Sequence, residues 1–486
     1  MSQQLALLMI VLPVVGAVLC GTIMKGCRHV AVGCSAGVLG LAVWTVTAGF
    51  GASSRLMFGR LPWLTAMSNE PLFGIMIDPL SALMLVLVTT IGFLTVLYST
   101  QYLTERHKEH PVPAGEHGRY YFWLLLFLAS MVGVSVSPNF LQLLLFWELT
   151  TVCSWALISF HRNARSLRAG FKALVMTHAG GLFFLVAICI LFARGHSFDF
   201  SAIAALPEGL RAWVFVCLMI AAWAKAAQVP LHTWLPDAME APTPISAYLH
   251  AAAMVKAGVY LMARSAGAGW AMPPHVALVL AIMAMVTIAI ALSFYFVQDD
   301  LKRLLAFSTI AHLGYILLGV GIGSLGSVLA YRGGVLHIIC HGFSKATLFF
   351  CAGAVAYVTG SRSISAIRGL GRSMPLSATA FFVGVLAVAG VPPFACFWSK
   401  FMILAGAMQL SGPIGPIVLV FILVETLVSF AWLLYVAQRV FMGTPSPVAT
   451  VNSDPPPAMS VTLVILMVGC LLAPAIGIPL VELIGR

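Results

Sequence analysis

Charged side chains are scarce in this sequence. Asp, Glu, Lys and Arg together make up 8% of its 486 residues, whereas an ordinary soluble domain carries roughly 25%. Hydrophobic residues account for 61% of the chain, and the mean hydropathy is +1.01. Because a soluble fold has no way to cover so much apolar surface, the composition predicts an integral membrane protein.

Cysteine motifs and long polar segments are also missing. The ten cysteines show no C-x-x-C spacing, which argues against an iron–sulfur or zinc cysteine site and favours a packing role. The most polar stretch, QYLTERHKEHPVPAGEHG at 101–118, is too short to form a catalytic domain. We therefore assign this chain no cofactor and no catalytic residue, so any redox chemistry must be carried out by partner proteins.

Apolar stretches, in contrast, are abundant. About 20 apolar residues cross the hydrocarbon core as a helix, and the sequence contains fourteen such stretches. Their approximate bounds are 4–24, 29–50, 77–100, 119–136, 139–160, 168–193, 210–230, 243–264, 276–297, 302–323, 328–358, 376–405, 412–442 and 458–482. The predicted fold is an all-α polytopic membrane protein with one membrane domain over 1–486. The opening MSQQ lacks Lys and Arg, so the first span is predicted to be a retained anchor.

The distribution of basic residues predicts the orientation. The odd-numbered loops hold fifteen Lys and Arg residues and the opposite side holds seven. Because basic loops tend to stay in the cytoplasm, both termini are predicted to lie outside it. The four remaining basic residues, Lys225, Lys256, Lys345 and Lys400, fall inside predicted spans. The net charge of +11 is therefore partly an orientation signal and partly buried lysine, and it implies no nucleic-acid partner.

Proline positions indicate an internal repeat. AKAAQVPLHTW contains Pro230, and AVAGVPPFACFWSK contains Pro392 and Pro393 about 162 residues later. Paired proline-interrupted spans point to a transport site, so spans 7 and 12 are predicted to be broken. The repeats would be spans 4–8 (119–264) and 9–13 (276–442), preceded by 1–118 and followed by 458–486. Since five spans separate the two breaks, the second half is expected to be inverted.

Ionisable residues inside the spans are the main functional signal. Each costs roughly 2.5 to 3.5 kcal/mol near a helix centre in lipid, so the four lysines, Glu148 and Glu425 must face one another or water. They could be structural ion pairs, or they could snorkel near span ends. Burial and pairing act oppositely on ionisation, so a Glu–Lys pair that can separate would act as a proton switch.

Histidines add a second signal. In HIICHGFSKATLFF, His337, His341 and Lys345 recur every four residues and share one helix face, as a proton relay requires. The alternative of zinc or haem binding lacks a nearby carboxylate or cysteine, so no metal site is predicted. His178, His232, His250 and His312 could each be hydrogen-bonded core residues, an interpretation that we favour for His178.

Six stretches together resemble a known family. They are FGIMIDPLSALML, FWELTTVCSW, AKAAQVPLHTWLPDAMEAPTPISAYLHAAAMVKAGVYL, LKRLLAFSTIAHLGY, HIICHGFSKATLFF and GVPPFACFWSK. In this order they resemble motifs of the antiporter-like proton-channel subunits of respiratory complex I, Mrp cation/proton antiporters and membrane-bound hydrogenases. The resemblance covers roughly residues 70–445. The wording DAMEAPTPISAYLHAA, the chain length and the absence of a lateral helix after the last span look most like the D subunits of hydrogenase-4, found in formate hydrogenlyase-type complexes.

The resemblance implies a proton pathway. Glu148 would pair with Lys225, Lys256 and His250 would carry the proton inwards, and Lys400 would be the exit-side site. His337, His341 and Lys345 would form the relay, with His312 beside it. Asp78, Asp237, Glu240 and Glu425 remain possible uptake or auxiliary residues; Glu425 matches no family-wide site.

The resemblance also implies a function and partners. The chain is expected to be a proton-translocating subunit of a hydrogenase-4-type complex in a bacterial or archaeal cytoplasmic (inner) membrane. Its partners would be antiporter-like and quinone-site-like membrane subunits, together with peripheral [NiFe]-hydrogenase and iron–sulfur subunits. Alternatives are an Mrp-like Na+/H+ antiporter module, a complex I M-type subunit, or a scaffold that does not pump.

Overall fold

The fold is known from a computed structural model that describes residues 3–22, 26–49, 54–57, 72–267, 271–447 and 454–485. Lys25, Arg60 and Arg486, which contribute to the loop charge, lie outside these ranges. The described part is dominated by helices, as the composition predicts.

Each of the fourteen predicted spans falls on one or more helices. These are α1 (Gln3–Thr22), α2 (Cys27–Ala48), α3 (Pro79–Tyr102), α4 (His117–Val136), α5 (Phe140–Ile158), α6 (Ala164–Gly195), α7 (Glu208–Lys225), α8 (Trp234–Asp237), α9 (Thr243–Ala251), α10 (Met254–Gly267), α11 (Pro274–Ser293), α12 (Leu301–Ser324), α13 (Val328–Thr359), α14 (Pro375–Ala389), α15 (Ala395–Ala407), α16 (Ile414–Phe441) and α17 (Pro457–Glu482). Among the described residues, eleven helical segments are long and apolar enough to cross a membrane. The predicted all-α polytopic class is confirmed.

Several helices begin at side chains that cap them. Asn139 accepts a hydrogen bond from the backbone N–H of Gln142, and Asn163 caps α6 in the same way through Ser166. A capping side chain satisfies a backbone N–H that has no partner inside the helix. Short loops can therefore connect consecutive spans without leaving these groups unpaired.

Both predicted breaks are confirmed. The seventh span stops at Lys225, before Pro230, and the twelfth divides into α14 and α15 around Pro392 and Pro393. Proline lacks the N–H that continues a helix. The predicted irregular segment after Pro230 is partly helical, since it contains α8 and a 3-10 turn at Ala238–Glu240.

Two features were not predicted. The eighth span is also broken, because Tyr248 O accepts hydrogen bonds from both Ala252 N and Ala253 N, which closes α9 before α10 begins. In addition, β1 (Ser54–Met57) pairs antiparallel with β2 (Gly74–Ile77) ahead of α3. The expectation of an unbroken eighth span was wrong.

The interior of the bundle is built around α12 and α13. Each is fully buried over an 18-residue stretch, as is the α9–α10 span, whereas α6, α11 and α16 each leave much of their surface exposed. Helix α13 packs against α9, α12, α14, α15 and α17. Side chains on α13 consequently face protein on every side, which is where a charged group can avoid lipid.

Candidate functional site

The four span lysines are all inside the protein. Lys225, Lys256 and Lys345 are fully buried, and Lys400 retains 5% exposure. As the cost of lipid burial requires, none of them faces the membrane.

Lys225 lies at the last position of α7 and points at α5. Its Nζ donates hydrogen bonds to Trp147 O and to Thr150 Oγ1, the latter at 2.6 Å. The same Nζ lies 4.3 Å from the centre of the Trp147 indole, a cation–π distance. The lysine is thus held by α5 without a carboxylate in direct contact.

The predicted contact between Glu148 and Lys225 is not made. Oε2 of Glu148 lies 3.0 Å from Nδ1 of His178 on α6, and Lys225 contacts the residues on either side of Glu148 along α5. The interpretation of His178 as a core residue was wrong, because 56% of its side chain is exposed.

A series of buried polar side chains starts at Lys256; His341 and His312 meet in it only through their stacked rings, and Nε2 of His341 has no hydrogen-bond partner among the described residues. The Lys256 Nζ lies 2.8 Å from Nδ1 of His341, and the His341 ring stacks 5.1 Å from the ring of His312. His312 Nδ1 in turn lies 3.0 Å from Nε2 of His337. Lysine donates and cannot accept when charged, so in this contact His341 accepts at Nδ1. Nδ1 of His337 then meets Ser399 Oγ at 2.7 Å.

The series of side chains ends at Lys400 on α15 and Glu425 on α16. Lys400 Nζ lies 3.8 Å from Oε2 of Glu425 and 3.0 Å from Oγ1 of Thr426. The Tyr315 hydroxyl donates to the same Glu425 oxygen, and its ring lies 5.5 Å from that of His312. Glu425, to which the resemblance gave no role, is therefore the partner of Lys400.

Tyr315 is a member that sequence reasoning missed. It follows His312 by three residues in AFSTIAHLGY, so it lies on the same face of α12. That spacing was the available signal. A tyrosine in an apolar helix is common, however, and its contact with Glu425 depends on how α12 packs against α16.

Besides Glu148 and Lys225, two more predicted pathway residues lie off this series of side chains. Lys345 Nζ donates to Leu305 O at 3.4 Å. The His250 ring lies 4.7 Å from the Phe349 ring, tilted at 39°, and both of its ring nitrogens are buried without a hydrogen-bond partner among the described residues. Buried polar atoms of this kind are normally satisfied by water, so both residues suit a hydrated branch.

The possible auxiliary carboxylates lie at the ends of the spans. Asp78 forms a bidentate pair with Arg264, which is 7% exposed. Asp237 pairs with Lys172 at 2.7 Å and with Arg303 at 3.4 Å. Glu240 lies in the 3-10 turn that precedes α9 and is partly buried. None of these three lies within the series that starts at Lys256.

One group of side chains has the geometry of a metal site. Ligand atoms of His312, His337 and Cys396 all lie within 4.8 Å of one another, and all three residues are buried. The two histidines are already hydrogen-bonded to each other, and His337 is also hydrogen-bonded to Ser399. A cation there would break the relay, so the prediction that the chain holds no metal stays a prediction.

Comparison with protein families gives two matches. Residues 137–429 match the model described as "NADH:quinone oxidoreductase/Mrp antiporter, TM", and residues 63–110 match "NADH-Ubiquinone oxidoreductase (complex I), chain 5 N-terminus". The first match contains all nine predicted pathway residues.

Similar proteins include quinone oxidoreductase subunits. NAD(P)H-quinone oxidoreductase chain 5 of Synechocystis sp. is 38% identical over 390 residues, covering 76% of this chain and 54% of that protein. The chloroplastic subunit 5 of Anthoceros angustus is 40% identical over 370 residues, covering 71% and 48%. This chain thus spans about half the length of these curated relatives.

Two solved structures are similar in fold. The Mrp complex from Dietzia sp. matches with a TM-score of 0.86 and 29% identity, covering 99% of this chain and 52% of that one. The membrane-bound sulfane sulfur reductase, an archaeal respiratory membrane complex, matches with a TM-score of 0.85, 23% identity and coverage of 99% and 96%.

Proposed function

Because this chain belongs to the NADH:quinone oxidoreductase/Mrp antiporter transmembrane family, we propose that it is a proton-translocating subunit of a redox-driven membrane complex. The observation that carries the proposal is the buried series of polar side chains from Lys256 through His341, His312 and His337 towards Lys400. Every member except Lys400 is at most 1% exposed, so the series is sealed from lipid.

The chemistry of these groups suits proton transfer. A neutral imidazole accepts a proton at one nitrogen and releases one from the other. Charged Lys256 can pass a proton to Nδ1 of His341, which then releases one from Nε2. That Nε2 has no partner among the described residues, so a water molecule must carry the proton across to the hydrogen-bonded pair of His312 and His337. Glu425 stabilises the charge when the proton reaches Lys400, because the carboxylate lies 3.8 Å from its Nζ.

The charges of Glu148 and Lys225, which lie outside the series that starts at Lys256, would gate this transfer. Lys225 is held by neutral acceptors on α5, while the adjacent Glu148 is held by His178. If Glu148 turns from His178 towards Lys225, the lysine is favoured in its charged form and repels a proton arriving at Lys256. The pair therefore couples events at the outer face of α6 to the interior.

Exchange of single lysines tests the proposal. Lys256→Met and Lys400→Met in the assembled complex, reconstituted into vesicles, should abolish proton translocation while electron transfer by the partner subunits persists. Arg165→Met is the control, because Arg165 is exposed at the start of α6 and lies outside the groups proposed to carry protons. Wild-type pumping by both interior variants would refute the proposal.

A sodium/proton antiporter module is the second candidate. It is favoured by the similarity of 99% of this chain to a chain of the Mrp complex, and Glu425 supplies a buried carboxylate that could meet Na+. Transport in vesicles with and without Na+ distinguishes the two functions, since a proton pathway works at zero Na+.

For the redox partner we propose a hydrogenase-type module. The support is the sequence DAMEAPTPISAYLHAA at 237–252, whereas the relatives described above are named as quinone oxidoreductase subunits. Affinity purification of the native complex should recover [NiFe]-hydrogenase and iron–sulfur subunits with this chain. Recovery of an NAD(P)H- or ferredoxin-oxidising module without a hydrogenase would overturn this assignment. The location in a bacterial or archaeal cytoplasmic membrane, with both termini outside, is part of the same proposal.

A further inference from the structure

A second group of titratable side chains lies away from the axis, at the face formed by the odd-numbered loops. His107, Glu109 and His110 belong to the polar loop after α3, and His161 follows α5. We call these four residues the histidine cluster. Helices α3, α5, α12 and α13 all end or begin beside it, so it occupies a junction of the bundle.

The cluster forms a graded series from the surface to the interior. The His110 side chain is 39% exposed, and its Nε2 lies 3.4 Å from Oε1 of Glu109, which is 14% exposed. The same oxygen lies 2.7 Å from Nε of Arg362, whose side chain is 19% exposed. Behind them, Lys302 is only 2% exposed. The outermost group of the series, His110, is thus the most exposed, and the innermost, Lys302, is almost fully buried.

Two histidines of the cluster carry nitrogens without a protein partner. Nδ1 of His107 accepts hydrogen bonds from the backbone N–H groups of Glu109 and His110 at 3.1 and 3.0 Å, so Nε2 carries the hydrogen. That Nε2, and Nε2 of His161, are buried and make no hydrogen bond to a described residue. Buried groups of this type are normally satisfied by water, so water is expected inside the cluster.

The protonation states leave ligand atoms free of protons. Burial raises the pKa of Glu109, but the hydrogen bond from His110 and the charges of Arg362 and Lys302 outweigh it and lower that pKa to about 2. Burial lowers the pKa of His107 to about 4 and that of His161 to about 3. At neutral pH the cluster therefore presents an ionised carboxylate beside neutral imidazoles.

The inner end of the series leads towards the axis. Lys302 Nζ donates to Met239 O and Ala241 O, both at 2.7 Å, in the segment that leads into α9. The His107 ring contacts the Tyr102 ring edge-on at 4.5 Å, and the Tyr102 hydroxyl donates to Thr243 Oγ1 at 3.0 Å. Helix α9, which begins at Thr243, carries His250, and both ring nitrogens of His250 are buried without a hydrogen-bond partner among the described residues.

We propose that the histidine cluster is the mouth through which protons pass between water at the odd-loop face and the interior axis, and that it binds Zn2+ as an inhibitor. The proposal rests on the proposed proton function. Zinc takes nitrogen at about 2.0 to 2.1 Å and carboxylate oxygen at about 2.0 to 2.2 Å in tetrahedral sites. Two ligand atoms of a tetrahedral zinc ion are therefore roughly 3.4 Å apart. Nε2 of His110 and Oε1 of Glu109 are separated by that distance, 3.4 Å. Binding of Zn2+ there would displace Arg362 from the Glu109 oxygen.

The test uses the assembled complex in membrane vesicles. His110→Gln and His161→Gln, alone and combined, are compared with His29→Gln, an exposed histidine at the start of α2 on the same face. The double variant should translocate protons at least fivefold more slowly. The Zn2+ concentration for half-inhibition should rise at least tenfold in His110→Gln and stay unchanged in His29→Gln. Zn2+ titration of the purified complex by calorimetry should lose one binding event in His110→Gln, a readout independent of pumping.

The outcomes separate this inference from the proposed function. If the double variant translocates protons at the wild-type rate, the histidine cluster is not the proton mouth, whatever the result for Zn2+ binding. If the Zn2+ titration of His110→Gln is unchanged, the cluster is not the Zn2+ site. If Lys256→Met does not translocate protons in the same preparation, both of these results are compatible with the proposed proton-translocating function. Wild-type pumping by the interior lysine variants would instead remove the proton function itself.

Discussion

Substitution of Gly181 tests how closely Glu148 must approach α6. A Cβ at position 181 would lie 1.9 Å from Oε1 of Glu148, a separation that real contacts do not show. The carboxylate must retreat by about 1.5 Å to restore the ~3.4 Å of ordinary contact. Gly181→Ala should therefore displace Glu148 from His178, which lies 3.0 Å away in the native arrangement.

The size of the effect follows from the hydrogen bond that is lost. A retreat of that size takes the carboxylate beyond hydrogen-bonding distance of Nδ1 of His178. Hydrogen bonds to charged groups contribute about 1.5 to 3 kcal/mol, which corresponds to roughly 10- to 100-fold in an equilibrium constant. If Glu148 must return to His178 in each cycle, proton translocation by Gly181→Ala should fall by a similar factor.

A second substitution separates position from folding. Glu148→Asp shortens the side chain by one methylene, so Gly181→Ala combined with Glu148→Asp should recover part of the lost rate. Gly195→Ala, on the same helix where an added Cβ meets nothing within 4 Å, should behave as wild type. The assay is proton uptake by vesicles at matched electron-transfer rates. A Gly181→Ala complex that assembles and pumps normally would refute a role for the contact between Glu148 and α6.

Three further outcomes are expected. Asp78→Asn should destabilise the chain by about 3 kcal/mol, because it leaves buried Arg264 without its counter-charge, and a lower midpoint of thermal unfolding would measure this. Burial lowers the pKa of His107 from 6.5 to about 4. The stability that the buried neutral imidazole contributes to the fold is therefore present above pH 6.5 and is lost as the pH falls towards 4. The protection factors for hydrogen exchange in the 101–118 loop, corrected for the intrinsic pH dependence of exchange, should therefore fall between pH 7 and pH 5 in wild type, and less steeply in His107→Gln. Tyr315→Phe removes the donor to Glu425 and should slow proton translocation about tenfold, without altering assembly as judged by co-purification.

The features that the sequence predicts correctly are those signalled by single residues. A lysine in an apolar run must be buried in protein because lipid is so costly, and Lys225, Lys256, Lys345 and Lys400 are all interior. Proline cannot continue a helix, so the breaks near Pro230 and Pro392 were visible from the residue type alone. Such signals do not depend on how the helices pack.

Contacts between distant spans were beyond sequence reasoning. Glu148 and His178 are 30 residues apart on different helices, and their meeting depends on the rotation of α5 against α6. The same applies to Tyr315 and Glu425, which are 110 residues apart. The break after Tyr248 was equally hidden, because alanines favour helix and no proline marks the site.

The two halves place related positions in different surroundings. Helices α6 and α13 are both 32 residues long and begin 164 residues apart. Adding 164 to the residue number takes Glu148 to the position of His312, and takes His178 to position 342, next to His341. The first pair lies at the protein surface, with side chains 30% and 56% exposed, whereas His312 and His341 are buried. A carboxylate can keep its charge where water or a polar neighbour is within reach, but stacked imidazoles can pass a proton through the interior without leaving a fixed charge there. The internal repeat stays a prediction; on that prediction, the exposed position of the first half carries a glutamate and the buried position of the second carries a histidine.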